Sequence, residues 1–192
     1  MCKWTEKEFS EQVYNEEYLS VDPDYVVKRP VNSFNLLEKL FPINTHSINH
    51  LDYGGGNGYL SKLLREHGWK SKSFDPFLDN KMSIKKLGKF NLITAFEVFE
   101  HVPNTDLLLK NLSKLMHLDS VIIFSTLVSD GHIKLNGRLD WWYASPRNGH
   151  ISLYSKASLT KLASKFELKF GSFNENVHCF VKQVPSWASH LF

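Results

Sequence analysis

Apolar positions along the chain alternate between two spacings, and that alternation predicts the fold before any chemistry is considered. The opening stretch, E-K-E-F-S-E-Q-V-Y-N-E-E-Y-L, sets Phe9, Val13, Tyr14 and Tyr18 near helical spacing. N-S-F-N-L-L-E-K-L-F predicts a second helix, with Pro42 beyond it as a stop. S-I-N-H-L-D-Y then reads as a short strand, a glycine cluster follows, and Y-L-S-K-L-L-R-E-H is a helical pattern closed by Gly68. W-K-S-K-S-F predicts a strand ending at Asp75-Pro76, and F-N-L-I-T-A-F a buried strand. T-D-L-L-L-K-N-L-S-K-L-M predicts a helix, S-V-I-I-F-S-T-L a buried strand, and K-A-S-L-T-K-L-A-S-K-F an amphipathic helix. E-L-K-F-G-S-F and V-H-C-F-V-K close the chain as a hairpin. Strands alternating with helices imply an α/β fold, a mostly parallel sheet with helices on both faces. Such sheets bind ligands beyond the C-terminal ends of their strands.

Composition narrows this picture. The 192 residues, 42% hydrophobic and 14% aromatic, suit one packed domain over 1–192. Within it, 1–45 is expected as a helical cap and 46–192 as the Rossmann-like core, with a long lid loop near 128–150. The net charge of +3 is weak, and K-M-S-I-K-K is the longest basic cluster, which argues against a nucleic-acid partner. Cys2 and Cys179 form no disulfide framework, so a reducing cytoplasm is the expected home. The polar N-terminus predicts no secretory signal, and no apolar run predicts a membrane span.

Chemistry enters with L-D-Y-G-G-G-N-G-Y-L. Glycines after a strand let the backbone turn tightly and approach a ligand, with a helix N-terminus opening behind them. Gly54, Gly56 and Gly58 alternate after Asp52, and G-x-G-x-x-G fits poorly because Tyr59 or Ser61 falls where a small glycine is needed. Asp75 follows at a strand end about twenty residues on, where this fold sets an acid on ribose hydroxyls. A plain tight turn is the simpler account of the glycines; the spaced acid favours a nucleoside site.

The pattern D-x-G-x-G-x-G resembles the first motif of class I S-adenosylmethionine-dependent methyltransferases. With S-F-D-P-F, K-F-N-L-I-T-A-F-E-V-F-E-H-V-P-N and V-I-I-F-S-T-L, the stretch from Leu51 to about Phe173 is similar in style to quinone-pathway O-methyltransferases. The resemblance implies a seven-stranded sheet with an antiparallel last strand. It also implies S-adenosylmethionine as the donor, held by Asp52, Gly54, Gly56 and Asp75 and by backbone near Ala95 and Phe96. Pro76-Phe77 would flank the adenine. Between Asp75 and Phe90 the chain is shorter than the family's usual helix, strand and loop, and holds at most a truncated strand around Ser83 to Leu87.

E-V-F-E-H sets Glu97, Glu100 and His101 at relative positions that share one face if the chain turns helical there. Two carboxylates so close resist joint ionisation, and a divalent cation reverses that penalty. The spacing resembles the metal site of quinone-pathway O-methyltransferases and of small-RNA 3′-end 2′-O-methyltransferases. The latter take a further histidine from a later segment. Here that residue is His150 in P-R-N-G-H-I-S, with His178 in reserve. The candidate metal set is Glu97, Glu100, His101 and His150, for Mg²⁺, Mn²⁺ or Zn²⁺. Without a metal, His101 or His150 is the candidate catalytic base. Packing or capping is the ordinary role of a histidine at such a place.

The irregular stretch S-D-G-H-I-K-L-N-G-R-L-D-W-W-Y-A-S-P-R-N-G-H follows the S-V-I-I-F-S-T-L strand on the ligand-binding edge. Trp142 and Tyr143 offer flat apolar surface beside Trp141, and Arg147 offers an anion clamp, as a lid over a small-molecule acceptor. One tryptophan is expected to pack and the other to be available. Tyr14, Tyr25 and Arg29 in the leading segment are further candidates for closing the site. The expected activity is methylation of a small molecule, foremost at oxygen. The alternatives are RNA 2′-O-methylation and a non-catalytic donor-binding partner subunit.

Overall fold

A computed structural model describes residues 24, 26–42, 45–79 and 83–192. The first predicted helix, with Tyr14, and Tyr25 lie outside the described residues. Helix α1, Lys28–Leu40, carries Pro30 in its first turn, where no backbone N–H is needed. Strand β1, Asn49–Tyr53, is followed by α2, Tyr59–Glu66, and β2, Lys70–Phe74. Then come β3, Phe90–Ala95, α3, Thr105–Lys114, and β4, Met116–Ser125. Helix α4, Lys156–Ser164, leads into the hairpin of β5, Lys169–Ser172, and β6, Val177–Val181. The helix starts follow from side chains: Asn104 accepts from Leu107 N at α3, and Ser155 and Ser158 form a capping box at α4.

The strands form one sheet in the order β2-β1-β3-β4-β6-β5. The pairs among β1, β2, β3 and β4 are parallel, and β6 runs antiparallel to both neighbours. The mixed α/β, Rossmann-like architecture is as expected, but among the described residues the sheet has six strands where the resemblance implied seven. The segment S-I-K-K-L-G-K makes a short 3-10 turn, Ile84–Lys86, instead of a strand. Its consecutive lysines and glycine leave no alternating apolar face to bury. As a result β2 is the sheet edge, and its exposed Lys70 and Lys72 discourage further pairing.

Each face of the sheet is covered by its own core. Phe90, Phe99, Phe124, Phe180 and Leu109 are fully buried on one side, with Phe99 stacked on Phe124 at 4.4 Å. On the other side Leu37, Phe41, Leu64, Trp69 and Ile123 pack together, and Trp69 Nε1 donates to Glu38 Oε1. Burial of such side chains stabilises by roughly 1.5–3 kcal/mol each. These two cores fix the parallel strands so that β1, β2, β3 and β4 all deliver their C-terminal ends to one edge. No helix among the described residues is long and apolar enough to cross a membrane.

Candidate functional site

At that edge β1 gives way to the glycine turn. Gly54 N donates to Phe74 O, and Gly54 holds φ +74° with Val98 so near that an added Cβ would lie 2.6 Å from its Cγ2. Only glycine meets both conditions. Gly55 is constrained by space alone, since a Cβ there would collide with the Asp52 carboxylate and the Ser73 hydroxyl. The glycine pattern Gly54, Gly56, Gly58 passes over Gly55; the signal that finds it is the unbroken run of three glycines.

Asp75 ties this turn to the end of β2. Its Oδ2 accepts from Gly56 N at 3.0 Å, and its Oδ1 from Phe77 N at 2.9 Å and Leu78 N at 3.3 Å. A carboxylate offers about four lone-pair positions, so roughly one remains for a ribose hydroxyl. The expectation that Asp75 receives both hydroxyls narrows accordingly. Asp52 is buried just behind the turn, and its carboxyl is pushed up to about 7, first by burial and with a smaller contribution from Asp75. Ala95 ends β3, fully buried and paired with Phe124, and half-buried Phe96 follows it.

Beyond β3 the chain does not turn as an α-helix. Glu97 takes the left-handed conformation, φ +53°, and Phe99–His101 forms a 3-10 turn. The shared helical face expected for Glu97, Glu100 and His101 is therefore lost. Glu97 Oε1 accepts from Ser125 Oγ at 2.8 Å, and Oε2 pairs with Arg29 Nη1 at 3.0 Å. Glu97 thus lies outside the metal-like group, and Arg29 reaches it from α1. Ser125 gave no signal in sequence beyond its place at a strand end.

Glu100, His101 and His150 are brought together, all buried, with ligand atoms within 4.8 Å of one another. Backbone bonds join their two segments: Glu100 O accepts from Ile151 N at 2.9 Å and Ser152 N at 3.0 Å. Ser152 Oγ donates to Val102 O, and Tyr154 OH to Phe99 O. His150 Nδ1 lies 2.8 Å from Tyr143 O. A carbonyl only accepts, so Nδ1 carries the proton. Tyr143 OH donates to Glu100 Oε1 at 2.7 Å, while Glu100 Oε2 is buried with no hydrogen-bond partner among the described residues.

The electrostatics match a site built to receive something. Burial first, and Glu97 second, push the Glu100 carboxyl up to about 8. Burial, then neighbouring His150, depresses the His101 imidazole to about 3. The two imidazole rings stand 5.0 Å apart, edge to face. A buried carboxylate oxygen without a donor is costly unless a cation or proton fills the position. The donor set of one carboxylate and two imidazoles fits a divalent metal, and Tyr143 orients two of the three from behind.

The lid residues divide. Trp141 is buried and stacks on His132 at 4.8 Å, whereas Trp142 is 71% exposed. Tyr143, a candidate acceptor contact from sequence, is 3% exposed and supports Glu100 instead. Arg147 lies in the short turn Pro146–Asn148, and its side chain lies outside the described part of the chain. His178 is buried in β6 with Nε2 on Thr126 O and Nδ1 on Ser172 Oγ, away from the group.

The family follows from comparison with known proteins. A methyltransferase-domain family model matches residues 8–170, and the chain belongs to that family. Among curated protein sequences none matches the chain. Similar solved structures include an O-methyltransferase family protein from Burkholderia thailandensis, 10% identical, with TM-score 0.62 over 96% of this chain and 64% of that one. Magnesium protoporphyrin IX methyltransferase from Synechocystis, with bound S-adenosylmethionine, is 14% identical, with TM-score 0.55 over 93% and 92%. An O-methyltransferase of neocarzinostatin biosynthesis, in complex with S-adenosylhomocysteine and 1,4-dihydroxy-2-naphthoic acid, is 16% identical, with TM-score 0.51 over 87% of this chain. This chain spans 61% of that enzyme's length. At these identities the likeness is one of fold.

Proposed function

We propose that the protein transfers a methyl group from S-adenosylmethionine to an oxygen of a small-molecule acceptor, with a divalent metal held by Glu100, His101 and His150. The observation that carries this reading is the contact of the Gly54 turn with Val98, two positions before Glu100. That contact supports a reading in which the glycine turn serves the donor and the neighbouring acid–histidine group the acceptor.

In this reading the backbone of Gly54 to Gly56, with Ala95 and Phe96, lines the donor, and the remaining lone pair of Asp75 takes one ribose hydroxyl. Transfer is an in-line displacement at the sulfonium carbon, so rate depends on holding an electron-rich oxygen against the methyl group. When bound, a divalent metal supplies a lowered pKa for a coordinated hydroxyl. Imidazole-bearing donor sets suit Zn²⁺ better than Mg²⁺. Tyr143 fixes the Glu100 carboxylate and the His150 tautomer, and the exposed Trp142 offers a face to the acceptor. The solved relatives' small-molecule ligands support an acceptor of that kind.

The test is calorimetric titration of S-adenosylmethionine, followed by turnover on a panel of hydroxylated small molecules after chelation and add-back of Zn²⁺, Mn²⁺ or Mg²⁺. Donor binding with turnover restored by one metal is the expected result. Donor binding with turnover indifferent to chelation removes the metal and leaves His101 or His150 as the candidate base. Absence of donor binding would sink the reading.

A further inference from the structure

Glu97 follows the end of β3 at the point where three parts of the donor edge meet. The residues before it, Ala95 and Phe96, are those read above as lining the donor, and the next, Val98, lies against Gly54. From the other side the entry to α1 reaches the same turn. Asn57 Nδ2 donates to Val26 O at 3.4 Å, and Arg29, the second residue of α1, donates to Glu97 Oε2 at 3.0 Å. Glu97 is thus flanked by the glycine turn and by the first turn of α1.

Its backbone stands at φ +53°, a region uncommon for any residue with a Cβ. Ser125 fixes that conformation from both ends: Glu97 N donates to Ser125 Oγ, and Ser125 Oγ donates to Glu97 Oε1, each at 2.8 Å. The ion pair with Arg29 does not account for the strain. Its side chains are 37% and 28% exposed, and a pair open to water to that extent returns little stability. Strain of this kind at a site edge points to what the side chain has to face. A carboxylate offers about four lone-pair positions. Ser125 and Arg29 take one each, so about two remain on a group reachable from solvent.

The chemistry of the donor supplies a fitting partner. S-adenosylmethionine ends in an α-amino acid, whose ammonium has three N–H donors and no acceptor. The N–H groups of a glycine turn and helix start suit anions, whereas an ammonium is best met by a carboxylate. Asp52 is buried behind the turn, Glu100 is fully buried, and Asp75 already accepts from Gly56, Phe77 and Leu78. Glu97 is the acid at this edge that is open to solvent and still has acceptor capacity. We propose that Glu97 accepts from the ammonium of the donor's amino-acid tail, with Arg29 and Ser125 as positioning residues that hold its carboxylate beside the turn. This rests on the donor-site reading above.

The experiment is calorimetric titration of the full chain with two thioethers, S-adenosylhomocysteine and its deamino analogue, which lacks only the ammonium. Neither carries the sulfonium, so the comparison reads the tail alone. Wild-type protein is expected to bind S-adenosylhomocysteine about tenfold more tightly than the analogue, the worth of one charge-assisted hydrogen bond. Glu97→Gln keeps the side chain's shape and its bond from Ser125. It should lower affinity for S-adenosylhomocysteine about tenfold and leave that for the analogue within about twofold. Ser125→Ala, acting through Glu97, should narrow the same preference by a smaller factor. A loss shared equally by both ligands in Glu97→Gln would make Glu97 a structural residue and overturn the proposal, as would an unchanged preference. Wild-type protein that binds the two ligands equally overturns it too, a result that needs no variant to fold. Failure of wild-type protein to bind either ligand overturns the donor-site reading and this proposal together.

Discussion

Two acid–histidine groups lie buried at the same sheet edge, and they differ in one respect. Around His50 and Asp52, both imidazole nitrogens have partners and the acid shares a bond with Thr94. Around Glu100, His101 and His150, one buried carboxylate oxygen has no hydrogen-bond partner among the described residues. Both groups are buried and both carry displaced proton affinities, so neither burial nor a shifted pKa separates a structural hydrogen-bonded chain from a ligand site. What separates them is a buried carboxylate oxygen with no hydrogen-bond partner among the described residues, Glu100 Oε2.

The sharpest break between the two comes from turnover. His150→Ala should lower methyl transfer by about 10²–10⁴-fold while donor affinity in calorimetry stays within about twofold, because in the proposed arrangement His150 serves the acceptor and not the donor. Loss of donor affinity in step with turnover would merge the two regions into one. His50→Phe should act on the fold instead. It removes the imidazole's bonds to Thr94 and Ser71, at about 0.5–1.5 kcal/mol each, so thermal unfolding should show a loss of about 1–3 kcal/mol.

Tyr143→Phe probes the support behind the open group. Removing the bond to Glu100 Oε1 should weaken metal affinity by about 10–100-fold, measured by competition with a chelator, and leave His150 held by the Tyr143 carbonyl. The closed group makes a further prediction through pH. His50 is held to about 3, below the ordinary 6.5, so its contribution is complete above pH 6.5 and fades as pH falls toward 3. Asp52 is raised from 3.8 to about 7, so its contribution is complete below 3.8 and fades as pH rises through 7. Across the shared window the two slopes cancel. Asp52→Asn should expose the His50 limb, with stability falling by about 1.4 kcal/mol per unit as pH drops, and denaturant titrations at stepped pH will read it.

Arg29→Ala gives the smallest effect. The pair with Glu97 is partly exposed, so less than about 1 kcal/mol of stability should be lost. A larger change in donor or acceptor KM than in unfolding midpoint would assign Arg29 to the site, not to the fold.

Local pattern carried much of this into view. Asp52, Gly54, Asp75, Glu100, His101 and His150 stand out in the sequence because glycine, acid and imidazole are unusual where a strand leaves a core. Where the reading failed, a non-local fact decided. Glu97 belonged to the expected helical face, but its left-handed backbone and its bonds to Ser125 and Arg29 turned it elsewhere. Tyr143 had the look of an acceptor contact, and only the folding of the lid onto Glu100 made it a support. The seventh strand was implied by kinship, while the lysine-rich segment itself lacked the alternation to form one.

The sequence by itself determined the α/β alternation, the glycine turn and the acid at the tip of β2, since periodicity and backbone freedom are properties of neighbouring residues. Tertiary structure decided which lone pairs stay unused: it stitched residues 150–154 onto 99–102, and aligned His50 between Thr94 and Ser71. Hydrogen-bond saturation depends on partners many residues away, brought within about 3 Å, and no local pattern encodes that distance.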